Sequence, residues 1–281
     1  MRSSPYERVV TYSVLIAFTL MVLYPMLSIV FLALHEKTDL VTGFAFPTHP
    51  DMSSFTAAWT QDDGAGGPGF GRLFTNSFIV AGTVTVVAAV LSIGTGYAFG
   101  TMRFRGDRVI FPIVLLGIIF PYEATVIPLY YDFQRFDLLN TYWALILPQI
   151  GQSVSFGTFW MRAFFRSSPR SLIEAARIDG ATSLGVLLRV LLPQARPALM
   201  TLGTLVFVYT WNEFLLALVL IQDTEMQTAP LGLSYFAGAA RAGDPTKVAA
   251  AAVLVAGPVL VVYVFLQRHF IRGMLAGAVK E

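Results

Sequence analysis

The residues able to act as bases, nucleophiles or metal ligands are sparse in this chain. It has three histidines, 17 Asp and Glu, and no cysteine. His35, His49 and His269 form no His-x-x-x-His or Glu-x-x-His pair, so no metal site is expected within the apolar runs. The missing cysteine excludes disulfides, thiolate nucleophiles, Fe–S clusters and cysteine-based zinc sites. Gly151-Gln-Ser153 and Gly232-Leu-Ser234 have the outline of an intramembrane serine turn. Neither has a histidine in any apolar run to serve as its base. Gly64–Gly71 and Gly94-Thr-Gly96 lack the lysine and Ser/Thr of a phosphate-binding loop. They read as turn and helix-packing glycines, and the chain is not expected to bind ATP by itself. Two acids stand out by their surroundings, because Glu123 and Glu213 lie inside apolar runs. A carboxylate at the centre of a lone membrane helix costs roughly 2.5–3.5 kcal/mol, so lipid exposure is disfavoured. Each should face a protein interior or a partner subunit.

The elements holding these residues follow from composition. Over 281 residues, 56% are hydrophobic and 13% charged, with a mean hydropathy of +0.66. A soluble domain has about 45–50% apolar and about 25% charged residues. This excludes a soluble globular enzyme, a disordered chain and a collagen-like fibre. A net charge of +2 is too balanced for a general nucleic-acid footprint. An all-α polytopic membrane protein remains, expected as a single transmembrane domain. Six apolar runs can each supply the roughly 20 residues of a span, at about 9–34, 73–100, 109–131, 142–161, 198–221 and 248–266. The first contains Pro25, and its length without a small-residue cleavage site argues against a removed signal peptide. Pro112, Pro121 and Pro128 fall inside the third.

Six spans place both ends on one side, and the basic residues say which. The N-terminal tail, the 101–108 loop, the 162–197 segment and the C-terminal tail hold 14 of the 19 Lys and Arg. Lys37, Arg72, Arg135, Arg241 and Lys247 are the remainder. By the positive-inside rule both termini should be cytoplasmic.

The cytoplasmic segment at about 166–197 does not read as a simple loop. Ser168-Pro169 and Ser171-Leu-Ile-Glu174 offer a helix start with a capping box, and Gly180 suits an αL stop. Thr182 can cap a second helix, Ser183–Leu192, with Leu184, Leu187, Leu188 and Leu191 at helical spacing. Pro193 and Pro197 are expected to end it. Patterning alone allows an amphipathic hairpin resting on lipid headgroups.

The spacing also carries a resemblance. Glu174-Ala175-Ala176, three residues, Gly180, nine residues, Val190, one residue and Leu192-Pro193 is similar to the EAA motif of importer-type ABC permeases, with Val190 in place of the usual Ile. Asn140-Thr141-Tyr142-Trp143, Ile146-Leu147-Pro148, Phe164-Phe165-Arg166, Trp211-Asn212-Glu213-Phe214 and Gly273–Lys280 extend it from the second span to the C-terminus. The chain thus resembles the carbohydrate-uptake permeases of the maltose/maltodextrin type.

That resemblance implies a non-enzymatic subunit of a sugar importer in the bacterial cytoplasmic membrane. Its partners would be a second, different permease subunit, two ATPase subunits that bind ATP and Mg, an extracytoplasmic solute-binding protein and membrane lipid. No cofactor is implied for this chain. Glu174, Ala175, Ala176, Asp179, Gly180, Leu192 and Pro193 would form the coupling element against an ATPase, although Glu174 has the simpler reading of a capping residue. Ala276, Gly277, Ala278, Val279 and Lys280 would reach toward the ATPases or else fray. Glu123, Trp211, Asn212 and Glu213 are candidates for the substrate path. For Glu213 the alternatives are hydrogen bonds to sugar hydroxyls, with Trp211 offering a ring face, or a cross-link between helices. A polyol, an amino sugar or a glycerol phosphodiester is the alternative cargo; nearly cation-free spans favour a neutral sugar. A secondary transporter would need paired repeats and charged coupling sites, and no repeat is evident.

Overall fold

The computed structural model describes residues 5–36, 44–60, 68–240 and 244–278, with the backbone alone for 235–240 and 266–278. Among the described residues there is helix and no strand. The chain divides into two compact units, residues 1–72 with 232–257, and residues 73–231 with 258–281.

In the first unit, α1 (Pro5–Ala33) is apolar on every face and contributes only Ala33 to the buried residues. A helix of that kind requires an apolar solvent. Phe44 stacks on Tyr24 with ring centroids 5.3 Å apart, and Phe46 meets Phe31 edge-on, so the returning chain packs on the end of α1. α2 (Ser53–Thr60) follows Asp51, whose carboxylate accepts from the Ser53 N–H at 2.9 Å and from the Ser53 hydroxyl. Those bonds hold the Asp51 carboxyl below the usual carboxylate range.

The second unit is built on three long helices. α3 (Phe70–Thr101) and α6 (Tyr142–Ser167) approach closely, because a Cβ on Gly96 would lie 2.5 Å from the Met161 Cβ and 3.0 Å from the Arg162 nitrogen. Small residues at such crossings let membrane helices gain dispersion energy from backbone contact. The Thr95 and Thr158 hydroxyls are 2.7 Å apart across the same crossing. α4 (Asp107–Ile119) lies on α6 where the Arg162 guanidinium sits 3.8 Å from the Phe111 ring centroid.

The third expected span is not one straight helix. α4 stops at Ile119, a 3₁₀ turn covers Tyr122–Thr125, and α5 (Val126–Arg135) leaves with an 87° bend. Pro121 is the cause: it lacks an N–H and drives Phe120 to extended backbone, φ −69° and ψ 126°. The fourth expected span is the single 26-residue helix α6, which has the length to cross about 30 Å of hydrocarbon at about 1.5 Å per residue. With Gln149, Gln152, Ser153 and Ser155 along it, α6 is not among the helices apolar enough to qualify as a span.

α7 (Arg170–Ile178) opens the hairpin. Its second limb runs through α8 (Ser183–Gly185), a π-helical stretch at Val186–Leu191, and α9 (Leu192–Gln194). The chain then turns by 78° into α10 (Arg196–Trp211). Pro197 therefore begins a helix instead of ending one, as suits a residue in a first turn. The fifth expected span also breaks: α10 ends at Trp211, and α11 (Leu215–Leu220) restarts after Asn212–Phe214. α12 (Ala229–Ala240) and α13 (Pro245–Ala278) follow. By themselves Pro5–Ala33, Phe70–Thr101 and Pro245–Phe265 are long and apolar enough to cross a membrane, and the two bent pairs each qualify jointly.

Candidate functional site

Two places gather the residues singled out by sequence, and the hairpin is the first. α7 begins at Arg170 behind Pro169, with no side-chain cap. The expected capping box is therefore absent. Pro169 already fixes an extended residue before the helix, and Ser171 falls inside the first turn, where it can no longer cap. The stop is as expected. The Ala181 N–H donates to the Ala176 carbonyl at 2.9 Å and the Gly180 N–H to the Arg177 carbonyl at 3.0 Å. This is the Schellman pair, closed by Gly180 at φ +82°. Thr182 Oγ1 then accepts from the Gly185 N–H at 3.2 Å to start the second limb.

The outward face of this turn is Glu174, Ala175, Asp179 and Gly180, all exposed, while Ala176 is half-buried against the core. Ile178 is 86% exposed at the tip. On the second limb Leu187 and Leu191 are buried, whereas Leu184 and Leu188 point outward. Four apolar side chains were expected on one face. The π-helical turn spreads them over two, because it holds more residues per turn than an α-helix. Leu192 and Pro193 lie at the far end of this limb, half-buried and exposed respectively.

Beside the hairpin opens a cavity of about 620 Å³. Arg103, Arg108, Arg162, Arg166, Arg170 and Arg177 line it against only two acids, Asp107 and Glu174. Arg162 is held in the wall by its Nε–H, which donates to the Phe99 carbonyl at 3.2 Å.

The second place is the break in the fifth expected span. Glu213 is 7% exposed. Its Oε1 accepts from the Leu216 N–H at 2.9 Å, at the start of α11, and its Oε2 accepts from the Tyr122 hydroxyl at 2.7 Å. The acid thus joins the break after α10 to the bend after α4. Trp211 is buried among Phe74, Phe78 and Phe207, with centroids 5.3, 4.9 and 5.7 Å away. Its ring is committed to packing. Asn212 is exposed and donates to the Val208 carbonyl at 2.7 Å. Glu123 is exposed on the 3₁₀ turn and is not brought to Glu213 by any hydrogen bond; its neighbour Tyr122 makes that contact. Ala276, Gly277 and Ala278 end α13, and Val279 and Lys280 lie outside the described residues.

Sequence reasoning missed the polar partners around this break. Tyr122, Thr125 and Gln152 line an open groove of about 470 Å³ whose remaining walls are apolar. Gln152 donates to the Tyr209 hydroxyl at 3.3 Å. Asn76 donates from Nδ2 to the carbonyls of Glu225 and Gln227, both at 2.8 Å, and accepts from the Tyr142 hydroxyl at 2.7 Å. Asn140, at φ +56°, accepts from the Gln222 and Asp223 N–H groups. The available signal was an amide or phenol inside a span, where an unpartnered polar group is costly. Among the described residues no cluster of three or more His, Cys, Asp or Glu could hold a metal ion.

Comparison with known proteins agrees with this geometry. Residues 92–276 match the sequence profile described as "Binding-protein-dependent transport system inner membrane component". A probable ABC transporter permease of Bacillus subtilis, YurM, is 32% identical over 267 residues, covering 95% of this chain and 86% of its own. The trehalose transport system permease SugB of Mycobacterium tuberculosis is 32% identical, covering 92% of each chain. Among solved structures, a chain of a bacterial ABC transporter involved in import of the acidic polysaccharide alginate superposes with a TM-score of 0.78 at 26% identity, covering 96% of this chain and 99% of its own.

Proposed function

Because the chain belongs to the family of binding-protein-dependent transport system inner membrane components, we propose that it is one of two permease subunits of an importer whose cargo is a sugar. A membrane-spanning transport subunit is not itself an enzyme, and ATP hydrolysis belongs to a separate subunit of such systems. In this reading two ATPases dock on the cytoplasmic hairpin, and a solute-binding protein delivers cargo from the other side. Both termini are then cytoplasmic, a reading that the distribution of basic residues supports.

The observation that carries the coupling role is the outward face of the Schellman turn. An 86% exposed Ile178 beside Glu174, Ala175 and Gly180 is apolar surface with small neighbours, suited to a groove on another subunit. The limb behind it runs without a loop into α10, so a rigid-body displacement of the ATPase is passed to the fifth span. The arginine-lined cavity alongside gives the docking face a positive field. Leu192 and Pro193 act at the hinge end of the limb, and the C-terminal residues 276–280 reach toward the ATPases.

A neutral sugar fits the groove of Tyr122, Thr125 and Gln152 better than an anion does, since a phenol, a hydroxyl and an amide can pair with sugar hydroxyls while no cation is among its lining residues. Asn212, exposed one turn beyond Tyr209, is the candidate contact among the residues named from sequence. Glu213 takes the helix-linking role, having both oxygens engaged. The test is reconstitution: the complex copurified with its ATPases and binding protein should hydrolyse ATP faster with one sugar from a panel. Stimulation by polyols or glycerol phosphodiesters alone would reject the sugar reading.

A further inference from the structure

Behind Glu213 lies a small void of about 10 Å³, lined by buried residues: Ser77, Gln149, Thr210, Glu213 and Thr228 together with apolar Val80, Leu145 and Ala217. Gln149, Thr210 and Thr228 are only 2%, 4% and 6% exposed. The Gln149 Oε1 and the hydroxyls of Thr210 and Thr228 are buried with no hydrogen-bond partner among the described residues. Three orphaned polar atoms around one void are unusual, since each costs the desolvation of its group. We propose that this void is a specific site for one bound water molecule, which joins α6, the end of α10 and the segment before α12 to the Glu213 break.

Size and valence both select water. A volume of about 10–15 Å³ open to a water-sized probe holds one molecule, and a buried water needs two to four polar partners. The Gln149 Nε2 donates to the Leu145 carbonyl at 2.9 Å, which fixes the amide so that Oε1 is the free acceptor. Glu213, with each oxygen accepting one bond, retains acceptor capacity. The water donates to Gln149 Oε1 and to the Glu213 carboxylate, and accepts from the Thr210 and Thr228 hydroxyls. Its two donors and two acceptors are all used. A sodium ion would be bound by the same oxygens, but the two threonine hydroxyl protons would then turn away from it toward apolar walls. Water leaves nothing unpaired.

Unfolding temperature of the intact purified transporter tests this by the sign of a shift. Thr210→Val and Thr228→Val keep side-chain shape and remove one hydroxyl each. With water bound, each variant unfolds about 2–4 °C lower, the scale of one lost buried hydrogen bond. Thr210→Ser, which keeps the hydroxyl, should recover most of the loss. The double valine variant should lose less than the sum, because the first substitution already weakens the shared water. A dry void predicts the opposite sign, as removing an unpartnered hydroxyl then leaves stability unchanged or raises it; that result overturns the proposal. A fall in unfolding temperature when sodium is exchanged for choline would also overturn it, in favour of a cation. A density peak within hydrogen-bond distance of Gln149 Oε1 and both threonine hydroxyls supports it directly.

Discussion

Glu213 carries two hydrogen bonds at the middle of a broken helix, and its substitutions should separate charge from polarity. Glu213→Gln keeps an acceptor for the Leu216 N–H, and its amide N–H can donate to the Tyr122 oxygen. It should assemble like wild type. Glu213→Leu strands the Leu216 N–H and the Tyr122 hydroxyl, costing about 1–3 kcal/mol for each unpaired group, so the yield of assembled complex should drop on size-exclusion chromatography. A Gln variant that assembles but no longer responds to sugar would restore a direct role for the acid in the path. The cost of burying a lone carboxylate made the inward direction of Glu213 legible in the sequence. Its partner was not, because Tyr122 is 91 residues away and nothing in the local pattern pairs them. Trp211 shows the same limit: an aromatic beside polar residues fits a sugar platform or a core anchor, and only the positions of Phe74 and Phe78 decide.

The hairpin turn and the helix crossings give sharper expectations. A Cβ at Gly180 would meet nothing within 4 Å, so its constraint is conformational and not steric. Gly180→Asn should retain transport, since asparagine enters the left-handed region readily, whereas Gly180→Val should lower it. The cost of about 1–2 kcal/mol for a left-handed residue corresponds to roughly a 5–30-fold loss of the docked turn, and uptake of labelled sugar together with ATPase copurification reads it. The crossing of α3 and α6 separates two glycines that look alike in sequence. Gly96→Ala should destabilise by about 1–3 kcal/mol, because a backbone must shift. Gly94→Ala, with open space, should be neutral or stabilising by up to about 1 kcal/mol. Thermal unfolding of the purified complex distinguishes them. The αL stop and the Thr182 cap were readable because single residues encode them. The bend after α4 was only half readable: three prolines announced irregularity, but which one breaks the helix depends on packing around Phe120 and Tyr122. The π-helical stretch had no local signature at all.

Across the whole chain, the arrangement of charge makes orientation testable, and the natural absence of cysteine supplies the background. Single cysteines at Thr48 and Thr224, both exposed, should react with an impermeant thiol reagent in intact cells, while one at exposed Arg105 should not. Labelling at 105 alone would invert the topology. Gln227 would be a poor reporter despite its polarity, because it is 2% exposed. Hydropathy located the apolar runs, but not their straightness, since a bent pair and a straight span share one apolar composition. The wide turn at Val186–Leu191 gives this organisation an unexpected genetic tolerance. Loss of a single codon there would let the limb relax to ordinary α-helix with every named motif residue still encoded. The wide turn holds one residue more than an α-helical turn over the same rotation, so its loss would keep the phase of the docking face against α10. Hairpin and pathway behave in this respect like two gears keyed on one shaft: an in-frame deletion of Leu188 should leave an importer that still takes up labelled sugar, whereas a deletion in plain α-helix turns everything beyond it by about 100° and should leave one that idles.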